Sequence, residues 1–329
     1  MNGKPDAVVV GAGPNGLAAA LRLAAAGLRV QVVERGDRPG GGMRTEELTR
    51  PGYHHDVCST VQPMAAAAPF FREFDLPSRG VRLVHPEICF AHPLDGGRAA
   101  LSRRSLEETA DGLGADAAAY RRLFGPLVEH GQDVVDFFLT SRLRRPPTHS
   151  IGEITRFGLT GLPNVRWLAR RHFQTDEAQA MVAGAAAHGM LDLTRPLTAA
   201  LGMLLGMLAH HVGWPLIEGG SQQLADAMVT ALEEQGGEVV TGHEVTDLRE
   251  FDGVPAVLLD LRQGEHFVAL VAEQEPAVIR HDPGPGVRRW AMAAACWRLG
   301  ASSLRRMWET WTPAVLMLIT SVLAISRLV

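Results

Sequence analysis

The residues that most clearly suggest a chemical role form a short glycine-rich run, Gly11-Ala12-Gly13-Pro14-Asn15-Gly16. A carboxylate follows further along the chain at Glu34. Glycines at this spacing allow a tight turn, admit a pyrophosphate to the backbone at a helix start, and let that helix pack closely. A carboxylate about 20 residues later can accept hydrogen bonds from a ribose 2′-OH. The pattern therefore indicates a dinucleotide-binding site, and the alternative is a glycine turn of purely structural use.

The segments around this loop have the composition that such a site requires. Ala7 to Val10 is a short β-branched run, Leu17 to Ala26 has almost no polar residue, and Arg29 to Glu34 is a second strand candidate. The order strand, glycine turn, buried helix and strand with a terminal acid is much more specific than the glycine spacing alone.

Histidine pairs are the other side chains that invite a chemical interpretation. His54-His55 and His210-His211 are adjacent in sequence, and neighbours on a strand point to opposite faces. Packing or surface positions are therefore favoured over metal binding, and no metal site is predicted. His54 and Asp56, two positions apart, share one face of such a strand.

A second glycine loop bears on the choice between NAD and FAD. Arg35 follows the acid, and Gly40-Gly41-Gly42-Met43-Arg44-Thr45 comes after a short turn. Together with the first loop, this arrangement resembles the phytoene-desaturase-like branch of FAD-dependent oxidoreductases, which is related to flavin amine oxidases. The stretch from Pro51 to Ser59 is similar to the segment that follows the loop in that family.

The resemblance implies FAD as the cofactor. Related amine oxidases place arginine directly after Gly-Gly, where this chain has Gly42, and Arg44 is expected to supply the positive charge instead. The family segment that contains His54 and Asp56 lies near FAD, which makes these two residues candidates for the catalytic site. The cofactor-binding residues implied by the resemblance are Gly11, Gly13, Pro14, Asn15, Gly16, Glu34, Arg35, Gly40, Gly41, Gly42, Arg44, Thr45 and Val245.

A later segment predicts the return of the chain to the cofactor domain. Gly219-Gly220-Ser221 precedes a helical pattern from Gln222 to Gln235, and a strand is expected at Glu238 to Thr241. In the resembled family this unit completes the FAD domain, and the backbone near Val245 meets the adenine. A buried helix is also expected at Leu197 to Ala209, which is apolar on every side.

The predicted fold is α/β, with a Rossmann-type FAD-binding domain interrupted by a mostly helical substrate-side region. The predicted parts are residues 1–75 and 215–262 for the FAD domain, residues 76–214 for the helical region, and residues 263–329 for an atypical tail. The function implied is oxidation or desaturation of an apolar organic substrate by hydride transfer to flavin N5. The alternative is a catalytically incomplete dinucleotide-binding fragment, attached to a membrane.

Composition limits the partners and the compartment. The 329 residues carry 32 basic and 36 acidic side chains, so there is no basic field for neutralising phosphates and nucleic acid is not expected as a partner. The three cysteines contain no CxxC pair, which fits a reducing compartment. With no secretory signal at its start, the chain is expected in the cytoplasm.

The C-terminal part departs from the family pattern. Lys4 is the only lysine beside 31 arginines, which indicates a GC-rich coding sequence, and residues 280–306 are rich in arginine, alanine and tryptophan. Truncation followed by a non-homologous tail is therefore expected. The apolar stretch from Trp311 to Ile325 leaves three alternatives open: a helix packed on the domain, a membrane anchor, or an unstructured frameshift product.

Overall fold

The computed structural model describes residues 4–139, 151–261 and 271–272. Its strands are β1 (Ala7–Val10), β2 (Val30–Val33), β3 (Thr45–Glu46), β4 (His55–Asp56), β5 (Leu83–Val84), β6 (Ile88–Pro93), β7 (Ala99–Arg103), β8 (Leu216–Ile217), β9 (Glu238–Val240), β10 (Ala256–Leu259) and β11 (Val271–Ala272). Its helices are α1 (Pro14–Ala25), α2 (Pro63–Ala67), α3 (Pro69–Phe74), α4 (Leu106–Gly112), α5 (Ala117–Glu129), α6 (Gly131–Leu139), α7 (Ile151–Gly161), α8 (Val165–His172), α9 (Asp176–Ala187), α10 (Thr198–His211) and α11 (Gln222–Glu234).

The described residues form two compact units. Of the described residues, the first unit contains 4–38, 232–261 and 271–272, and the second contains 39–139 and 151–231. The division between the units falls within the turn after β2 and within α11. The domain boundaries expected from the sequence, after residues 75, 214 and 262, stay a prediction.

The first unit is built on a five-stranded sheet in the order β11-β10-β1-β2-β9. Strands β10, β1, β2 and β9 are parallel to one another, and β11 pairs antiparallel with β10. All four residues of β1 are buried, as expected for a central parallel strand that reads as an unbroken apolar run. This arrangement confirms the predicted α/β fold class.

Helix α1 connects β1 to β2 and begins directly after the first glycine loop. Pro14 occupies the first helical position, which suits a residue without an N–H group, and Gly13 at the N-cap is extended with φ −72° and ψ 175°. The N-cap residue has no side chain, so it does not itself accept a hydrogen bond from the backbone N–H groups at the helix start.

The second unit consists mainly of helices packed around α10. Helix α10 contacts α9, α7 and α5, and most of its side chains are buried, which confirms the predicted buried helix. Glycines permit this close packing: a Cβ atom at Gly202 would lie 2.8 Å from the carbonyl oxygen of Val182, and one at Gly206 would lie 2.6 Å from the Phe124 ring. The β6–β7 hairpin lies in the same unit.

Among the described residues, no helix combines the length and the apolar character needed to cross a bilayer. The predicted apolar segment from Trp311 to Ile325 lies outside the described residues. The same holds for the atypical tail predicted at residues 263–329, apart from β11.

Candidate dinucleotide-binding site

The first glycine of the loop is required by the backbone. Gly11 follows β1 with φ +104°, and its N–H donates to the carbonyl oxygen of Val33 at 2.7 Å. A Cβ atom at this position would lie closer than 3.0 Å to the carbonyl oxygen of Asp260, which follows β10. A side chain at residue 11 is therefore excluded both by conformation and by space.

The other two glycines have different surroundings. A Cβ atom at Gly16 would lie closer than 3.0 Å to the carbonyl oxygen of Gly11, so Gly16 lets the first turn of α1 fold back against the loop. A Cβ atom at Gly13 would meet only the carboxylate tip of Asp260, at 3.2 Å. Gly11 and Gly16 are thus needed for packing, whereas the space beside Gly13 is restricted much less by the protein.

The loop has the features that a pyrophosphate requires. In the described part of the chain, the N–H groups of Gly13 and Asn15 have no protein acceptor. Both groups lie at the positive end of the α1 dipole, where an anion is stabilised. The bare Cα of Gly13 leaves a cradle that a side chain would fill. These residues therefore fit the pyrophosphate of a dinucleotide.

Glu34 lies at the end of β2, as predicted, and its carboxylate is directed at the loop. Oε2 accepts the N–H of Ala12 at 2.8 Å, and Oε1 accepts the N–H of Gly36 at 2.9 Å. The backbone of Glu34 is held in turn by β9, since its N–H donates to the carbonyl oxygen of Val240 at 2.8 Å. The half-buried carboxylate lies beside the loop, and its contact with a ribose stays a prediction.

Asp260 is a site residue that the sequence interpretation missed. Its N–H donates to the carbonyl oxygen of Val10 at 2.7 Å, and its Oδ2 accepts the N–H of Gly16 at 2.7 Å. Burial raises the pKa of Asp260, the nearby charge of Glu34 raises it further, and the Gly16 hydrogen bond opposes them. An acid directly after the apolar run of β10 was the available signal, because ligands of parallel sheets bind at the carboxyl ends of strands.

The second glycine loop belongs to the second unit. Gly40 and Gly41 have φ values of +123° and +53°, and a short 3-10 turn runs from Gly41 to Met43. The guanidinium of Arg44 donates from Nε to the carbonyl oxygen of Gly41 at 3.1 Å and pairs with Glu46 at 3.1 Å. Gly42 has room for a side chain, because a Cβ atom there would meet Cys58 at an ordinary 3.6 Å.

Asp56 anchors this second loop to the start of α11. Its Oδ1 accepts the hydroxyl of Thr45 at 2.6 Å and the N–H of Ser221 at 2.9 Å, while Thr45 accepts the N–H of Gln222 at 3.1 Å. His54 is exposed and lies 3.8 Å from Glu47. Asp56 is therefore held by hydrogen bonds within the protein, whereas His54 is exposed to solvent. A catalytic role for either residue stays a prediction.

A buried acceptor lies next to the same loop. The side chain of Gln222 donates to the carbonyl oxygen of Pro39 at 3.1 Å and to Asp226 at 2.7 Å. Its Oε1 is buried without a donor among the described residues, 3.4 Å from where a Cβ atom on Gly40 would lie. The arrangement would suit a ligand hydroxyl, since hydroxyl groups donate to such orphaned oxygens.

The remaining predicted cofactor residues lie at the edges of the two loops. Asn15 and Arg35 are exposed, and Pro14 is half-buried at the start of α1. Val245 packs against the apolar cluster of Val8, Val10, Val33, Val257 and Leu259 at one face of the sheet. Its predicted approach to an adenine ring stays a prediction.

Comparisons with known proteins agree with this geometry. Residues 9–74 match the model of an NAD(P)-binding Rossmann-like domain. The chain is 26% identical to a neurosporene-forming phytoene desaturase of Rhodobacter capsulatus over 93% of its own length and 62% of the relative's. It is 32% identical to a phytoene dehydrogenase of Streptomyces griseus over 77% of its length and 51% of the relative's. The chain is therefore similar to phytoene desaturases and dehydrogenases. The family resemblance drawn from the sequence is thereby confirmed.

A third relative widens the comparison beyond phytoene. The phytoene-desaturase-like chain is 25% identical to one component of the limonene dehydrogenase of Castellaniella defragrans, over 75% of its length and 46% of the relative's. The chain thus spans between 46% and 62% of the length of these three relatives.

Proposed function

We propose that the phytoene-desaturase-like chain binds FAD and serves the oxidation or desaturation of an apolar organic substrate. The observation that carries the proposal is the loop at the start of α1. Its N–H groups at Gly13 and Asn15 have no acceptor in the described part of the chain, and Glu34 stands at the end of the adjacent parallel strand. This is the arrangement that receives the ADP half of a dinucleotide.

FAD is favoured over NAD by the relatives and by the second glycine loop that follows the acid. When bound, FAD supplies a flavin that accepts a hydride at N5. In this proposal the chain holds the cofactor's anionic part at Gly13 and Asn15, and the carboxylate of Glu34 accepts hydroxyl groups of the adenosine ribose.

An apolar substrate is supported by the names of the three relatives. Two are named for phytoene and one for limonene, and both of these compounds are hydrocarbons. A hydrocarbon offers no charged group for recognition, so its binding rests on burial of apolar surface. We therefore place the substrate of this chain in the same chemical class.

The cofactor proposal is tested by the flavin content of the purified chain after incubation with FAD. We expect the visible absorbance of oxidised flavin in the wild type and its loss in Gly13→Val, because the isopropyl group would fill the cradle. Gly158→Val is the matched control, since Gly158 lies in α7 with open space around its Cα. Equal flavin content in Gly13→Val and the control would contradict the proposal.

The substrate class is tested on the flavin-loaded chain without oxygen. Phytoene dispersed in detergent should bleach the flavin absorbance, and a polar amine such as putrescine should leave it unchanged. Bleaching by the amine alone would assign the chain to a different substrate class. Flavin that is bound but bleached by neither compound would contradict the hydrocarbon oxidation and leave the cofactor assignment standing.

A further inference from the structure

A carboxyl group lies in the place where the proposed site must accept an anion. Asp260 Oδ2 is 2.7 Å from the backbone nitrogen of Gly16 and 3.2 Å from where a Cβ atom on Gly13 would lie. The side chain of Asp260 therefore lies against the first turn of α1, beside the N–H groups of Gly13 and Asn15.

The charges around Asp260 come from few groups. The first turn of α1 carries no acidic residue, and the charge that acts on Asp260 is that of Glu34, at the end of β2. Beyond β9, the imidazole Nε2 of His243 lies 2.7 Å from the Glu250 carboxylate. The backbone N–H of His243 donates to the backbone carbonyl oxygen of Glu34. Among the described residues, Asp260 forms no ion pair with a cationic side chain.

A bound pyrophosphate would bring two further negative charges to this helix start. Like charges within a few ångströms favour the neutral form of a carboxyl group. The helix dipole and the Gly16 N–H favour the carboxylate in the free protein, but a pyrophosphate would compete for the same positive end. The protonated acid, in contrast, can keep its place and donate a hydrogen bond to a phosphate oxygen.

We propose that Asp260 must be protonated for the pyrophosphate of the cofactor to bind, so that binding takes up one proton from solvent. The inference rests on the proposed dinucleotide site. It makes Asp260 a residue that controls cofactor affinity through pH, with tighter binding as the pH falls. Burial already raises the pKa of Asp260 in the free chain, which brings the proton uptake closer to neutral pH.

The size of the effect follows from linkage. Where Asp260 is ionised in the free chain and protonated in the complex, the dissociation constant rises about tenfold for each pH unit. Replacing Asp260 with asparagine preserves an acceptor for the Gly16 N–H and removes the charge. The Asp260→Asn variant should therefore bind as tightly at high pH as the wild type binds at low pH.

The experiment is isothermal titration calorimetry of the full chain, first with ADP-ribose and then with FAD. The pyrophosphate of ADP-ribose keeps the same charge throughout the neutral pH range, so it does not itself take up a proton. Wild type, Asp260→Asn and the control Asp252→Asn, an exposed carboxyl group of the same unit, are compared across the range from mildly acidic to mildly basic pH. We expect a pH-dependent dissociation constant in the wild type and the control, and a flat one in Asp260→Asn.

A second measurement needs no variant. Titrations in two buffers with different ionisation enthalpies report the number of protons taken up, which should approach one in the wild type. Tight, pH-independent binding with no proton uptake would overturn the role of Asp260 and leave the proposed function intact. Absence of ADP-ribose and FAD binding at every pH would overturn the proposed dinucleotide site, and the inference with it.

Discussion

Replacing Gly16 with alanine tests whether the first glycine loop is held by backbone packing. The added methyl group would lie closer than 3.0 Å to the carbonyl oxygen of Gly11, where ordinary contacts begin at 3.4 Å. Neither partner moves easily, because Gly16 belongs to α1 and the N–H of Gly11 is bonded to Val33 at the end of β2. The clash must therefore be relieved by shifting the helix start.

The expected cost combines two opposing effects. Overpacking of this kind costs about 1–3 kcal/mol, while the stiffer unfolded chain of an alanine variant returns about 0.4–1 kcal/mol. A net loss of roughly 1–2 kcal/mol corresponds to a change of about five- to thirtyfold in the unfolding equilibrium. Gly158→Ala is the control, because this helical position has open space and should gain about 0.5–1 kcal/mol.

The assay is urea unfolding followed by circular dichroism, with hydrogen exchange of the α1 amides as a local measurement. We expect the Gly16→Ala midpoint to fall and the α1 amides to exchange faster, while Gly158→Ala unfolds at an equal or higher urea concentration. A Gly16→Ala variant as stable as this control would refute the packing argument, and the loop would have to be far more adaptable than its contacts indicate.

Two further substitutions address binding and pH-dependent stability. Glu34→Ala should weaken FAD binding by about 1.5–3 kcal/mol, the scale of a hydrogen bond to a charged group, and an unchanged dissociation constant in a flavin titration would leave Glu34 a role only in ordering Ala12 and Gly36. Asp116 is buried, which would raise the pKa of its carboxyl group, but hydrogen bonds from Thr175 and Gln174 outweigh burial and the pKa lies below its ordinary value. Stability from this group is present above the ordinary carboxyl pKa and is lost as the pH falls through the lowered value, so Asp116→Asn should destabilise the chain at neutral pH and the difference from wild type should shrink in acid unfolding curves.

The local pattern of the sequence determined the first part of the cofactor unit. Strand β1, the glycine turn, α1 and β2 follow one another without a break between Ala7 and Val33, and each is favoured by its own composition, so their order could be predicted without knowing what packs against them. Helix α10 was predictable for a similar reason. A segment that is apolar on every side has no solvent face to present, and burial is its only stable environment.

Only the tertiary structure decided which distant residues meet at the loops. Asp260 is 244 positions from Gly16, and Asp56 is 165 positions from Ser221, yet each pair is joined by a hydrogen bond. Hydrophobic periodicity indicates which face of an element is buried, but it does not indicate its neighbour, because many pairings bury the same apolar area. The carboxylate of Asp260 reaches α1 because β10 pairs with β1 in parallel register, and that register is set by the whole sheet.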